Sequence, residues 1–190
     1  AFETFFRFQT AMRMLRNKSK EEGLIFPDVS TKEMEDALPF KLTDAQKRTI
    51  EEIKCDLTSQ KASKRLIQGD VGSGKTLVAF FAALRIIDWG GQCVILSPTE
   101  LLARQHAENA TKLLSPLGIN PSFLTGNIKA KGRNQLLNSI KNGETQLIIG
   151  THALFSKNVQ YNNLQLAIID EQHRFGVIQR NFIKEKCSIP

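Results

Sequence analysis

RLIQGDVGSGKT, residues Arg65 to Thr76, fills the pattern G-x-x-x-x-G-K-[ST] at Gly69, Gly74, Lys75 and Thr76. A polyphosphate is densely anionic. A short strand that breaks into a glycine-rich loop and then a helix offers it several backbone N–H groups and the positive helix end. Gly69, Gly72 and Gly74 let the backbone approach closely and accept positive φ. Asp70, Val71 and Ser73 complete the cradle, Lys75 is placed to reach the β- and γ-phosphates, and the Thr76 hydroxyl to ligate Mg²⁺. The flanks agree: Leu66-Ile67 reads as a short buried strand, and Leu77 to Leu84 as the helix that follows.

Outward from this loop, strands and helices alternate. Cys93-Val94-Ile95-Leu96 lies between Gly90-Gly91 and Ser97-Pro98 and reads as a buried strand, with a helix over Thr99 to Leu114. Phe123-Leu124 is a weaker strand before Thr125-Gly126, and a helix from about Ala130 to Ile140 stops at Asn142-Gly143. Leu147-Ile148-Ile149 runs into Gly150-Thr151-His152, and Leu166-Ala167-Ile168-Ile169 into Asp170-Glu171. Apolar strands without polar alternation, separated by helices, describe an α/β fold whose parallel sheet is covered on both faces.

The chain has 190 residues, enough for one domain with a sizeable core or one domain plus a small appendage. Its formal net charge of +7 and pI near 9.5 favour an anionic partner, nucleic acid first. Cys55, Cys93 and Cys187 are odd in number and far apart, as in reduced thiols of a cytoplasmic protein. His106, His152 and His173 have no paired ligand spacing, which argues against zinc. Near the N-terminus Glu3, Arg7 and Arg13 interrupt the apolar residues, so no membrane span or secretory leader is expected.

Phe5, Phe8, Met12 and Leu15 share one helical face that must dock on a core or a neighbouring domain. Asn17 to Val29 reads as a linker, and Ser30 with Glu33 as the cap of a short helix ended by Pro39. Residues 1–37 are thus expected to form a helical extension, and 38–190 the α/β unit. The chain starts without Met and in mid-pattern, which suggests an excised piece of a longer protein.

An apolar strand running into Asp170-Glu171 is what a magnesium-dependent phosphate site needs opposite its glycine loop, since ligands bind at strand C-terminal ends in such sheets. Asp170 can hold Mg²⁺ through water, and Glu171 can deprotonate the attacking water. Thr43 and Gln46 have capping-box spacing ahead of a helix bearing Ile50, Ile53 and Leu57 on one face. Gln46 therefore has two readings: a helix cap, or an amide that reads the adenine edge of a nucleotide.

GDVGSGKT, SPTELLARQH, LTG, GTHALF and DEQHRFGV occur here in the order of the motifs of the first motor lobe of superfamily 2 helicases. The tetrad Asp170-Glu171-Gln172-His173 followed by Arg174-Phe175-Gly176-Val177 most resembles the RecG-type helicases of branched DNA, and the transcription-repair coupling translocases share much of the pattern. This resemblance covers roughly Leu38 to Ile178 and implies a P-loop NTPase (RecA-like) lobe that binds ATP and Mg²⁺. LPFKLTDAQ resembles the family's adenine-recognition motif, so the resemblance favours Gln46 as a nucleotide residue, with Phe40 packing on the base.

By the same resemblance, Thr99, Arg104, Thr125, Gly126, Thr151 and His152 line a DNA track, while Gln172 and His173 couple it to the nucleotide. Loops and helix N-termini after strands offer N–H and hydroxyl donors to phosphate, which gives that placement a physical basis. Taken singly, Arg104 and Arg133 read as members of solvated helix faces; for His173 a structural histidine is the alternative to the coupling role.

The resemblance also implies parts that this sequence does not contain: a second motor lobe carrying arginine fingers, and a Ser/Thr-Ala-Thr motif with its strand after DEQH. A wedge domain would precede residues 1–37. The α/β unit is therefore expected to be truncated, with a gap in the sheet between the P-loop strand and the Asp170 strand. Two rival functions stand beside the motor lobe: a nucleotide-switched DNA-binding module, and a metabolic P-loop kinase, for which no lid or small-substrate site is evident.

Overall fold

The structure, a computed structural model, describes residues 32–59, 64–126 and 130–175. The amphipathic face at Phe5 to Leu15, the linker and the Ser30 cap lie outside the described residues, as do Gly176, Val177 and Cys187. In chain order the elements are α1 (Lys32–Ala37), α2 (Asp44–Leu57), α3 (Lys75–Asp88), β1 (Gln92–Leu96), α4 (Glu100–Leu114), β2 (Ser122–Leu124), α5 (Ala130–Lys141), β3 (Leu147–Gly150) and β4 (Leu164–Ile169). Short 3₁₀ turns cover Ser115–Leu117, His152–Phe155 and Gln172–Arg174.

All three strand pairings are parallel, in the order β2-β3-β1-β4. Successive side chains of a strand point to opposite faces, and the core divides accordingly. Cys93, Ile95, Leu147 and Ile149 face α1 to α4, where Met34, Ile50, Phe80, Phe81, Leu84 and Leu114 are buried. Val94, Leu96 and Ile148 face Ile140 of α5 together with Ala153, Leu154, Val159 and Phe175. The expected doubly covered sheet is thus present.

Helix α3 explains why its sequence lacks a polar face. Ten of its residues are buried, from Leu77 to Ile87, because α2 covers its outer side while the sheet covers the inner one. A helix apolar all round is stable only when enclosed. Each fully buried phenylalanine here contributes about 1.5–3 kcal/mol of transfer free energy.

Gln92, at the start of β1, is a buried polar hub. Its Nε2 donates to the carbonyls of Ile140 (2.9 Å) and Thr145 (2.7 Å), and its Oε1 accepts from the N–H groups of Asn162 (2.8 Å) and Asn163 (2.9 Å). One amide thereby joins the end of α5 and the approaches to β3 and β4.

The expected Leu66-Ile67 strand does not form. Residues 64–70 run as irregular chain, Leu66 is 66% exposed, and only Ile67 packs against the core. A strand exists through its ladder. Both edges of β1 are taken by β3 and β4, and the far edge of β4 pairs with nothing among the described residues. Two apolar residues without a hydrogen-bonded neighbour have no reason to hold β geometry. The other strands and helices lie within about two residues of their expected bounds, except that α3 runs past Leu84 to Asp88.

Candidate nucleotide and nucleic-acid site

The glycine loop leads into α3 as its composition demands. Gly72 and Gly74 have φ of 80° and 83°, left-handed values that glycine adopts at no steric cost, and Gly74 is the N-cap of α3. A Cβ on Gly74 would also stand 2.2 Å from Gln46 Nε2. Gly69, by contrast, needs no positive φ; it leaves room for Ser73, whose Oγ a Cβ would approach to 2.8 Å. Within the loop, Lys75 Nζ donates to the carbonyls of Gly69 and Asp70, both at 2.7 Å, and Ser73 N–H to Asp70 O at 3.2 Å. Val71 lies fully exposed at the tip, and Thr76 is half-buried in the first turn of α3.

Gln46 takes up the first of its two readings, the helix cap. Its Oε1 accepts from Thr43 N–H (2.9 Å) while its own N–H donates to Thr43 Oγ1 (3.3 Å), a complete capping box for α2. Its Nε2 donates to Ser73 O at 2.9 Å, which ties the cap to the glycine loop. Arg65 reinforces the junction from below, pairing with Asp56 and Glu52 of α2. Phe40 is 53% exposed and lines a cavity of about 370 Å³ with Leu38, Pro39, Leu42 and Lys47.

Across the sheet, Asp170 follows the last residue of β4 and its N–H donates to Leu96 O at 2.9 Å, extending the β1–β4 ladder by one bond. Its carboxylate is held below the ordinary range. The first cause is a 2.8 Å hydrogen bond from His106 Nε2 of α4; partial burial opposes it, while the His106 charge, the Glu171 N–H and the Lys75 ammonium add to it. Glu171 takes φ 51° and ψ 51°, the only non-glycine residue with positive φ among the described residues. Such strain costs on the order of 1–3 kcal/mol and gathers at functional sites. Phe175, edge-on to Phe155 at 6.4 Å, anchors the turn that follows.

Among the described residues no cluster of three or more His, Cys, Asp or Glu could enclose a metal. That donor set still fits magnesium, which keeps several waters and is bound by one or two protein oxygens plus substrate phosphates. Thr76 and Asp170 are of that kind.

The candidate nucleic-acid residues divide in two. Thr99, Arg104, Gly126 and His152 are exposed; Thr99 Oγ1 also caps α4 by accepting from Leu102 N–H, and the Arg104 guanidinium lies 5.4 Å from the centre of the Phe123 ring. Thr125 and Thr151 are buried, and Thr151 Oγ1 has no protein partner. Arg133 is no free solvated arginine: its Nη1 donates to Thr125 O at 3.0 Å and pins the loop after β2. Gln172 and His173 are exposed just past Glu171, with His173 Nδ1 3.3 Å from Glu171 Oε2.

His106 was missed by sequence reasoning, which weighed it only as a metal ligand. The available signal was its place on the stripe Thr99, Ala103, His106, Ala110, a polar ring on a face whose alanines are buried against the sheet.

With this geometry in place the likenesses to known proteins are informative. A sequence profile of the DEAD/DEAH box helicases matches residues 43–188. The chain belongs to that helicase family. It is 51% identical over 97% of its length to the ATP-dependent DNA helicase RecG of Treponema pallidum, and 53% identical over 79% to that of Escherichia coli K12. It spans 29% and 22% of those two relatives. A solved structure of RecG bound to a three-way DNA junction superposes with a TM-score of 0.83 at 40% identity, covering 93% of this chain and 25% of that one. A hypothetical ATP-dependent RNA helicase from Sulfolobus tokodaii, 22% identical with a TM-score of 0.58 over 82% of this chain and 45% of its own, shares the fold. Helicase-lobe architecture is thus common to all of them. No helix among the described residues is long and apolar enough to cross a membrane.

Proposed function

We propose that this chain is the ATP-binding motor lobe of a DNA helicase or translocase that remodels branched DNA such as forks and Holliday junctions, in recombination and repair in the cytoplasm. The observation that carries the reading is the glycine loop, with Gly72 and Gly74 at positive φ and Lys75 opening α3, in one lobe with Asp170 at the end of β4, whose carboxylate the Lys75 charge helps to hold below its ordinary range. It joins the two halves of a nucleotide site that lie far apart in sequence.

In this reading the N–H groups of residues 69–75 and the N-terminus of α3 bind the phosphates of ATP. Lys75 moves its ammonium from the loop carbonyls to the β- and γ-phosphate oxygens. Thr76 and Asp170 hold Mg²⁺, which when bound neutralises phosphate charge. Glu171 accepts the proton of the attacking water. Phe40 and Gln46 border the base. Thr99, Arg104, Gly126 and His152 meet DNA phosphates along the C-terminal ends of β1, β2 and β3, with Thr125 and Thr151 shaping those loops from below. Gln172 and His173 lie next to Glu171 and carry the signal between the two sites. Residues 38–190 form the lobe and residues 1–37 the link to a wedge domain; a second lobe of the same protein supplies arginine fingers.

The test is ATP hydrolysis with and without forked DNA, by the intact protein and by the 190-residue chain. Forked DNA is expected to stimulate the intact protein, while the chain alone turns over slowly, since an absent arginine finger costs on the order of 10³–10⁵ in rate. Indifference of the intact protein to DNA, or brisk DNA-stimulated turnover by the chain alone, would refute the proposal.

A further inference from the structure

We infer that His106 is a positioning residue for Asp170: its ring, fixed on α4, holds one carboxylate oxygen and so sets the orientation in which Asp170 meets magnesium. The inference rests on the reading of Asp170 as a magnesium residue.

A strand fixes a backbone, not a side chain. Asp170 stands one residue beyond β4, where its two side-chain torsions are free unless something packs against or bonds to the carboxylate. The bond from His106 Nε2 to Oδ2 is 2.8 Å long, the length of a charge-assisted hydrogen bond. An ionised carboxylate only accepts, so Nε2 carries the proton. The histidine is itself confined, with its side chain 12% exposed against 32% for Asp170. Ala103 and Ala110, on either side of it along the stripe, are completely buried, so the helix lies close to the sheet and the imidazole fills the span to the strand end. The backbone of Asp170 is fixed as well, its N–H donating to Leu96 O at 2.9 Å, so the residue is held by the ladder at its main chain and by a helix at its carboxylate.

A purely structural histidine, bonded to the nearest acceptor, would have the same distance but different consequences. If His106 positions Asp170, its loss acts on the magnesium-dependent part of nucleotide binding and spares the rest. In the intact protein, binding of a fluorescent non-hydrolysable ATP analogue is measured by anisotropy across a magnesium titration, for the wild type, His106→Ala and His106→Gln. Removing a hydrogen-bond partner of a metal-binding group typically costs about 10–100-fold in metal affinity. His106→Ala is expected to raise the magnesium concentration for half-maximal binding about 10-fold, with magnesium-free binding unchanged. His106→Gln, which keeps an N–H donor on a side chain of similar reach, is expected to recover most of that loss.

Equal weakening with and without magnesium, or a glutamine variant no better than alanine, would overturn the inference. Should His106→Ala unfold, the glutamine variant alone decides: a magnesium midpoint nearer to the wild type than that of Asp170→Ala supports it, and a midpoint equal to that of Asp170→Ala sinks it. A wild type with no magnesium-dependent binding would fail the nucleotide-site reading itself, and the inference with it.

Discussion

The two halves of the proposed nucleotide site are held by different means. On the acidic side, Asp170 extends the ladder between β1 and β4, and its carboxylate is gripped by a helix on the covered face. On the glycine-loop side, residues 64–70 join no ladder, and the loop is shaped by its own bonds, by Gln46 from α2 and by the start of α3. The first half is built from long-range contacts, the second mostly from local ones. Local bonds need little surrounding structure, so the cradle forms even though its lead-in is exposed; the acid's placement depends on the whole sheet.

That contrast can be broken by substitution. The largest effect is expected where both halves act on one nucleotide. Lys75→Ala and Glu171→Gln in the intact protein should each lower the rate of ATP turnover on the order of 10²–10³-fold, the usual loss when a charge-stabilising group or a general base is removed. Both should leave DNA binding and the unfolding midpoint nearly unchanged, because both side chains lie at the surface of the site rather than in the core. A large drop in thermal stability for either would show that the halves support each other structurally.

A smaller effect on stability should separate the halves by location. Gln92→Leu leaves four backbone groups without their partner, two of them in buried bonds at the carbonyls of Ile140 and Thr145, and one unsatisfied buried group costs about 1–3 kcal/mol. Denaturant titration should report a loss of at least the upper end of that range, since the hub serves three connections on the sheet side. An unchanged midpoint would mean that water replaces the amide. Gln46→Ala, on the local side, should cost about 0.5–1.5 kcal/mol for the lost bond to Thr43 N–H and should weaken nucleotide binding with it, because the same side-chain amide holds Ser73. If binding is untouched, the tie between cap and loop has no functional weight.

The mildest test uses thiol labelling under native conditions. Cys93 is buried in β1 and its thiol is pushed up by burial, whereas Cys55 is exposed on α2. Mass spectrometry should find Cys55 modified first and Cys93 protected until the sheet unfolds. Early labelling of Cys93 would place the weak point of the molecule in its centre.

The glycine loop, the four strands of the sheet and the strand-end acids were legible from residues alone, because each rests on a local rule: a filled phosphate pattern, apolar runs between turn residues, caps at expected spacing. What failed was Leu66-Ile67, where an apolar pair promises a strand but only a neighbouring ladder can make one. Arg133 misled in a similar way, since a helix-face arginine looks solvated until the carbonyl it serves is seen, here that of Thr125.

By itself the sequence determined the chemistry available: which stretch has the form of a phosphate cradle, which acids follow a strand, and that the sheet is parallel and covered. Tertiary structure alone decided which groups share a site. His106 and Asp170 are separated by three strands and a helix in the chain, and their bond exists because parallel pairing of β1 with β4 and the packing of α4 against the sheet bring a helix face to a strand end. No local pattern encodes such a meeting, for it depends on sheet order, and sheet order is settled by the packing of the whole core.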